Sequence, residues 1–164
     1  MMFLLADKVN IAAERFYVSQ QERMSVFGGN VQIKMNQDEL NATKVYVYFD
    51  QKNKPLKYQA DGNVSFFVKT DDNETYIGSC QSLVYTPKTK EYHFMKKVRI
   101  NEMVSKRTLN GEKILINKKQ GTAIVEGEDR KPIRITLDLD DKINKKRKGL
   151  SSKPINNSKE KSKK

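Results

Sequence analysis

The sequence predicts an all-β protein: one domain of repeated antiparallel strand pairs over residues 1–141, then a disordered lysine-rich tail over 142–164. Three observations predict it. Apolar and polar residues alternate with period two through nearly every segment of residues 1–139, the pattern of half-buried strands. Turn-forming residues separate the alternating sets. The sets recur at a spacing of roughly 35 residues, which marks stacked supersecondary units.

The elements follow in order. Phe3 to Val9 reads as a first, edge strand, and Ile11 to Phe16 fits a strand better than the helical turn it also allows. Val31, Ile33 and Met35 alternate with Gln32 and Lys34, and Val45, Val47 and Phe49 alternate with Tyr46 and Tyr48. Val64, Phe66 and Val68 form another set, followed by Val98 with Ile100 and Ile114 with Ile116. The clearest is Ile133, Ile135, Leu137 and Leu139, interleaved with Arg134, Thr136, Asp138 and Asp140, which should form a second edge strand. Turns are expected at Gly28-Gly29-Asn30, Gln51 to Pro55, Asp71-Asp72-Asn73, Pro87-Lys88 and Lys118 to Gly121.

Two series carry the repeat. Gly29-Asn30-Val31 recurs as Gly62-Asn63-Val64, with Lys97-Val98 in the next equivalent place, so the valines are 33 and then 34 residues apart. In the second series Ala6, Ala42, Gly78 and Gly111 stand 36, 36 and 33 residues apart. A small residue in mid-strand lets the strand bend or another backbone approach closely. Each unit then reads as a folded pair of strands, and four units stack into an elongated two-sheet structure.

The formal charge of +12 points first to nucleic acid, but its location argues otherwise. Residues 142–164 hold ten Lys and Arg against Glu160, a net +9, which leaves +3 for residues 1–141. The body therefore lacks a basic face, and no specific nucleic-acid partner is expected. The tail has too few apolar residues to offset its ordering entropy. It reads as a solubilising segment, with contact to anionic lipid surfaces as an alternative role.

No apolar run approaches the ~20 residues of a membrane-spanning helix, and MMFLL is too short for the apolar part of an export signal. Catalysis finds little support. His93 is the sole histidine and alternates away from Phe94, and Cys80, the sole cysteine, reads as a packing residue. Asp138, Asp140 and Asp141 read as a solvated cluster. There is no phosphate-binding glycine loop. No catalytic, metal or cofactor residues are nominated, and the protein is not expected to be an enzyme.

The Gly-Asn-Val turn, the L-N-A-x-K-V-x-V-Y strand from Leu40, the hairpin from Lys54 to Val64 and the late L-N-G-E-K-I from Leu109 resemble the OstA-like lipopolysaccharide-transport family. The resemblance covers roughly residues 3–140 and rests on the order and spacing of these motifs together. It implies an open, V-shaped β-jellyroll of two packed sheets whose interior carries the acyl chains of lipopolysaccharide across the periplasm. A free-standing domain of this kind is most similar to the LptA-like bridge component. The implied partners are lipopolysaccharide, LptC-like and LptD-like jellyroll domains, and further copies of the chain joined head to tail through terminal strands.

Lipid carriage needs a continuous apolar surface shielded from water, which strand alternation supplies. The inward sets nominate Leu4, Val31, Ile33, Leu40, Val45, Val47, Phe49, Val64, Phe66, Val68, Leu83, Tyr85, Phe94, Val98, Ile114, Ile116, Ile135 and Leu137 as groove residues. Alternation alone favours an ordinary closed core; the resemblance favours the groove. Two other functions fit part of the pattern: a nucleic-acid-binding β-protein using the tail, and an assembly module whose edge strands join partners without lipid.

Overall fold

A computed structural model describes residues 8–137. Its ten strands are β1 (Val9–Ala12), β2 (Arg15–Ser19), β3 (Met24–Met35), β4 (Asp38–Phe49), β5 (Pro55–Lys69), β6 (Thr75–Thr86), β7 (Glu91–Glu102), β8 (Arg107–Asn117), β9 (Thr122–Glu126) and β10 (Arg134–Leu137). All pair antiparallel in one unclosed sheet of order β1-β3-β4-β5-β6-β7-β8-β10, with β2 also on β3 and β9 also on β8. Leu4, Ala6, Asp138, Leu139, Asp140, Asp141 and the tail lie outside the described residues.

The sheet folds along a crease through the middle of the long strands. Register shifts fall between Gly28 and Val31, Asn41 and Lys44, Asp61 and Val64, Ser79 and Ser82, and Met95 and Val98. A bulge adds a residue to one strand and sharpens its bend. Three of these shifts hold a pair of left-handed residues: Gly29-Asn30 (φ 78° and 43°), Gly62-Asn63 (85° and 46°) and Lys96-Lys97 (66° and 52°). Glycine and asparagine tolerate that region, which explains why the first two dipeptides recur.

The repeat read from the sequence is therefore the crease itself. Gly28-Gly29-Asn30 is not a turn between strands, and Lys54 to Val64 is not a hairpin; both runs continue through the crease as single strands, β3 and β5. The other four expected turns join successive strands. The third member of the series departs from the rule, since Lys96 and Lys97 carry side chains in left-handed backbone. Lys96→Gly should thus be neutral to stabilising by up to ~1 kcal/mol, while Gly62→Ala should cost about 1–2 kcal/mol. At Gly62 a Cβ would lie 2.9 Å from Thr43 Oγ1. Urea unfolding of both variants checks the contrast.

The crease divides the sheet into two leaves. Leaf 1 comprises β2, β9 and the parts of β3 to β8 near residues 24–28, 44–49, 55–61, 82–86, 91–95 and 113–117. Leaf 2 comprises β1, β10 and the parts near 31–35, 38–42, 64–69, 75–79, 98–102 and 107–111. The leaves face one another. Phe66 of leaf 2 and Phe94 of leaf 1 lie on strands that are not neighbours, yet their ring centroids are 4.3 Å apart. The result is an open β-jellyroll: four folded strand pairs, with β1/β2 and β9/β10 as the two interrupted outer members.

Small residues serve close approach. A Cβ on Gly78 would collide with the Arg99 backbone of β7, and one on Gly111 would lie 2.9 Å from Val125 Cγ1 and 3.1 Å from the Glu126 carbonyl. Their missing side chains leave no lipid-sized void, because neighbouring chain fills the space.

Candidate functional site

The inward faces of both leaves form one apolar cluster. Thirteen of the nominated residues are buried in it: Val31, Ile33, Val45, Val47, Val64, Phe66, Val68, Leu83, Tyr85, Phe94, Val98, Ile114 and Ile116. Leu40 and Phe49 are partly buried against it. Antiparallel partners share a face, so the registers resolve this surface into rows. In leaf 1, Phe16, Phe27, Val45, Ala60, Leu83, Phe94, Ile114 and Val125 stand in line. In leaf 2, Ile11, Ile33, Leu40, Phe66, Gly78, Ile100, Leu109 and Ile135 do the same.

Ile135 and Leu137 belong to the same inward rows but differ in cover: both are 51% exposed, outside the buried cluster. The reason is topological. They stand on β10, an edge strand that extends beyond the cover of leaf 1. The opposite end behaves alike: Phe16 and Val18 of β2 continue the inward rows of leaf 1, yet are 60% and 55% exposed. The apolar surface is thus closed at its centre and emerges at both ends, through leaf 1 beside β2 and through leaf 2 beside β10.

The nominated groove residues lack Ala42, Tyr58, Ala60, Tyr76, Tyr92, Leu109 and also Ile100, although Ile100 stands in an alternating set with Val98. Alternation could have found several. Tyr92 stands two residues before Phe94, and Ile100 two after Val98. Tyr58, Tyr85 and Tyr92 form a ladder, with ring centroids 6.1 Å and 4.3 Å apart in sequence. Beside them lies a cavity of about 30 Å³, bordered by Ile33, Met35, Leu40 and Val68, room for about one water.

Buried charge closes the open edge of the V, which we term the mouth. Asp38, at the start of β4, is buried and accepts hydrogen bonds from Tyr92 Oη (2.7 Å) and the Lys69 amide (3.0 Å). Lys118, in the β8–β9 turn, reaches across to Asp38 at 2.7 Å, and their side chains are 12% and 5% exposed. Burial, and then the facing Asp38 carboxylate, push the Tyr92 phenol well above its ordinary range and hold it as a donor. Around this pair the Asp71 amide donates to the Lys118 carbonyl at 3.2 Å, and Lys90 stands 3.7 Å from Asp71. Nothing in the sequence marks Asp38 as buried.

Other polar groups are structural. Glu74 accepts from the Val104 and Ser105 amides and the Ser105 hydroxyl, tying two hairpin ends of leaf 2 together. Burial would raise its carboxyl pKa, but these bonds outweigh burial and hold it below the usual range. Arg107 pairs with the buried Glu102. Cys80 is buried, and burial pushes its thiol up to about 12, so it is unreactive at neutral pH. His93 faces outward, 3.3 Å from Glu91, while Phe94 faces in.

Comparison with known proteins agrees with this geometry. A family model described as "LptA/(LptD N-terminal domain) LPS transport protein" matches residues 10–122, from β1 to β9. Among solved structures the chain is similar to LptH from Pseudomonas aeruginosa, the LptA-homologous periplasmic component of the lipopolysaccharide transport device. The two are 13% identical with a TM-score of 0.72, over 80% of this chain and 96% of that one, a likeness of fold. Comparison with curated proteins finds no match. The matched family is one of transport proteins, not enzymes, and the match spans both leaves and more than half of the sequence. The chain belongs to the LptA/LptD N-terminal-domain family of lipopolysaccharide transport proteins.

Proposed function

We propose that this protein is a periplasmic bridge component that carries lipopolysaccharide from the inner towards the outer membrane, with the acyl chains held between the two leaves. One observation carries the reading: the inward rows form a continuous apolar surface over eight strand positions that reaches solvent at both ends. Burying acyl carbon is worth ~0.8 kcal/mol per CH₂. The lipid's alternative sites are equally apolar, so net binding is modest and exchangeable, which suits passage along a bridge. Among the described residues β1, β2, β9 and β10 have no further strand partner, which supports head-to-tail joining with further copies and with LptC-like and LptD-like jellyrolls.

Photocrosslinking tests the groove. Crosslinkers at Phe49 and Ile135, on inward rows, should capture lipopolysaccharide. Crosslinkers at the outward Tyr46 and Asn101 should capture far less. Capture from the outward pair alone would refute the groove.

A further inference from the structure

The closed interior poses a question of entry. Phe66 and Phe94 touch across the leaves, and the cavity beside the tyrosine ladder holds about 30 Å³, far too little for an acyl chain. A lipid held between the leaves therefore needs them to separate. They cannot separate at the crease, where six strands run unbroken from one leaf to the other. Separation would have to occur at the mouth, with the bulged crease as hinge.

Among the described residues one polar cluster fastens the mouth. Asp38 and Asp71 of leaf 2 meet Lys118 and Lys90 of leaf 1, with Tyr92 donating to Asp38 from the same side. A buried ion pair adds little to stability compared with an apolar contact, and its best-attested use is to define alternative states. Breaking it without replacement strands an ammonium and a carboxylate. A ligand that brings its own anion replaces half of what is lost.

We propose that this closure is a gate: the leaves part at Asp38–Lys118, and Lys118 and Lys90 exchange their carboxylate partners for anionic groups on the lipid's head. The apolar cluster stays covered until such a lipid arrives. An anionic amphiphile loads in preference to a neutral one of equal chain length, because only the former compensates the released lysines. The inference rests on the lipid-carrying reading.

The whole protein serves for the test. Binding of lipopolysaccharide to the unaltered chain addresses the carrier reading first, separately from the gate. The gate is then addressed by an Asp72→Cys/Gly121→Cys variant in the two turns that face each other across the mouth, where a Cβ on Gly121 would lie 2.5 Å from Asp72 Cγ, within reach of a disulfide. Oxidised, this variant should lose uptake about tenfold or more, and reductant should restore it. The reduced form controls for folding. Equal uptake by both forms overturns the gate. For the exchange, Lys118→Gln should reduce the preference for lipopolysaccharide over its dephosphorylated form about tenfold. An unchanged preference overturns that half.

Discussion

Phe94→Ala should destabilise the protein by about 3–5 kcal/mol, the largest single effect expected of an apolar truncation here. Phe94 is fully buried at the meeting of the leaves, its ring tilted against Phe66 at 4.3 Å and stacked with Tyr92 at 5.9 Å. Truncation removes the contact that holds leaf 1 against leaf 2, and rows pinned by strand pairing on both sides relax only partly into the cavity. Adjacent residues on β5 provide the control. Phe66 faces in and is buried, whereas Phe67 faces out and is 36% exposed. Phe66→Ala should behave like Phe94→Ala, while Phe67→Ala should stay within about 1 kcal/mol. Urea unfolding of the three variants measures the difference. Equal costs for Phe66 and Phe67 would mean that the leaves do not pack face to face.

Asp38→Ala should cost about as much, roughly 3–5 kcal/mol, through a different mechanism. It leaves the Lys118 ammonium in a nearly enclosed position without its carboxylate, and removes the acceptor used by Tyr92 and the Lys69 amide. Adding Lys118→Met removes the stranded charge. The double variant should therefore recover about 2 kcal/mol relative to the sum of the two single changes. Thermal unfolding of the four proteins closes this cycle. Simple additivity would show that Asp38 and Lys118 do not interact. In contrast, removing the exposed Lys90–Asp71 pair should change stability by less than about 1 kcal/mol.

The strands were legible because their inward rows are almost purely apolar. Ile114 and Ile116 between polar neighbours leave only one face to bury. The crease was half legible. Gly29-Asn30 and Gly62-Asn63 announced left-handed backbone, but that signal does not separate a turn that ends a strand from a bulge that bends one. The deciding fact is the partner register, which no local pattern contains. Lys96-Lys97 gave no conformational signal at all and was found only through its spacing. The same limit governs the mouth. Asp38 and Lys118 are 80 residues apart and look like ordinary surface charges. Their burial arises from how the two leaves cross.

Orientation was also easier to read than enclosure. Ile135 and Leu137 do lie on inward rows, as their alternation implies, but whether a row is covered depends on how far the opposite leaf extends. Ile135 is exposed while Ile33 on the same row is buried. Under the proposed carrier function those uncovered ends are the exits of one continuous surface.

The central claim is that acyl chains, not the sugar head, hold the lipid in this protein. Equilibrium binding of intact lipopolysaccharide and of the same molecule stripped of its acyl chains tests it most directly, at equal protein concentration and ionic strength. Saturable binding of the intact lipid, with little or none of the deacylated saccharide, is the predicted result. Equal affinity for the two would contradict it.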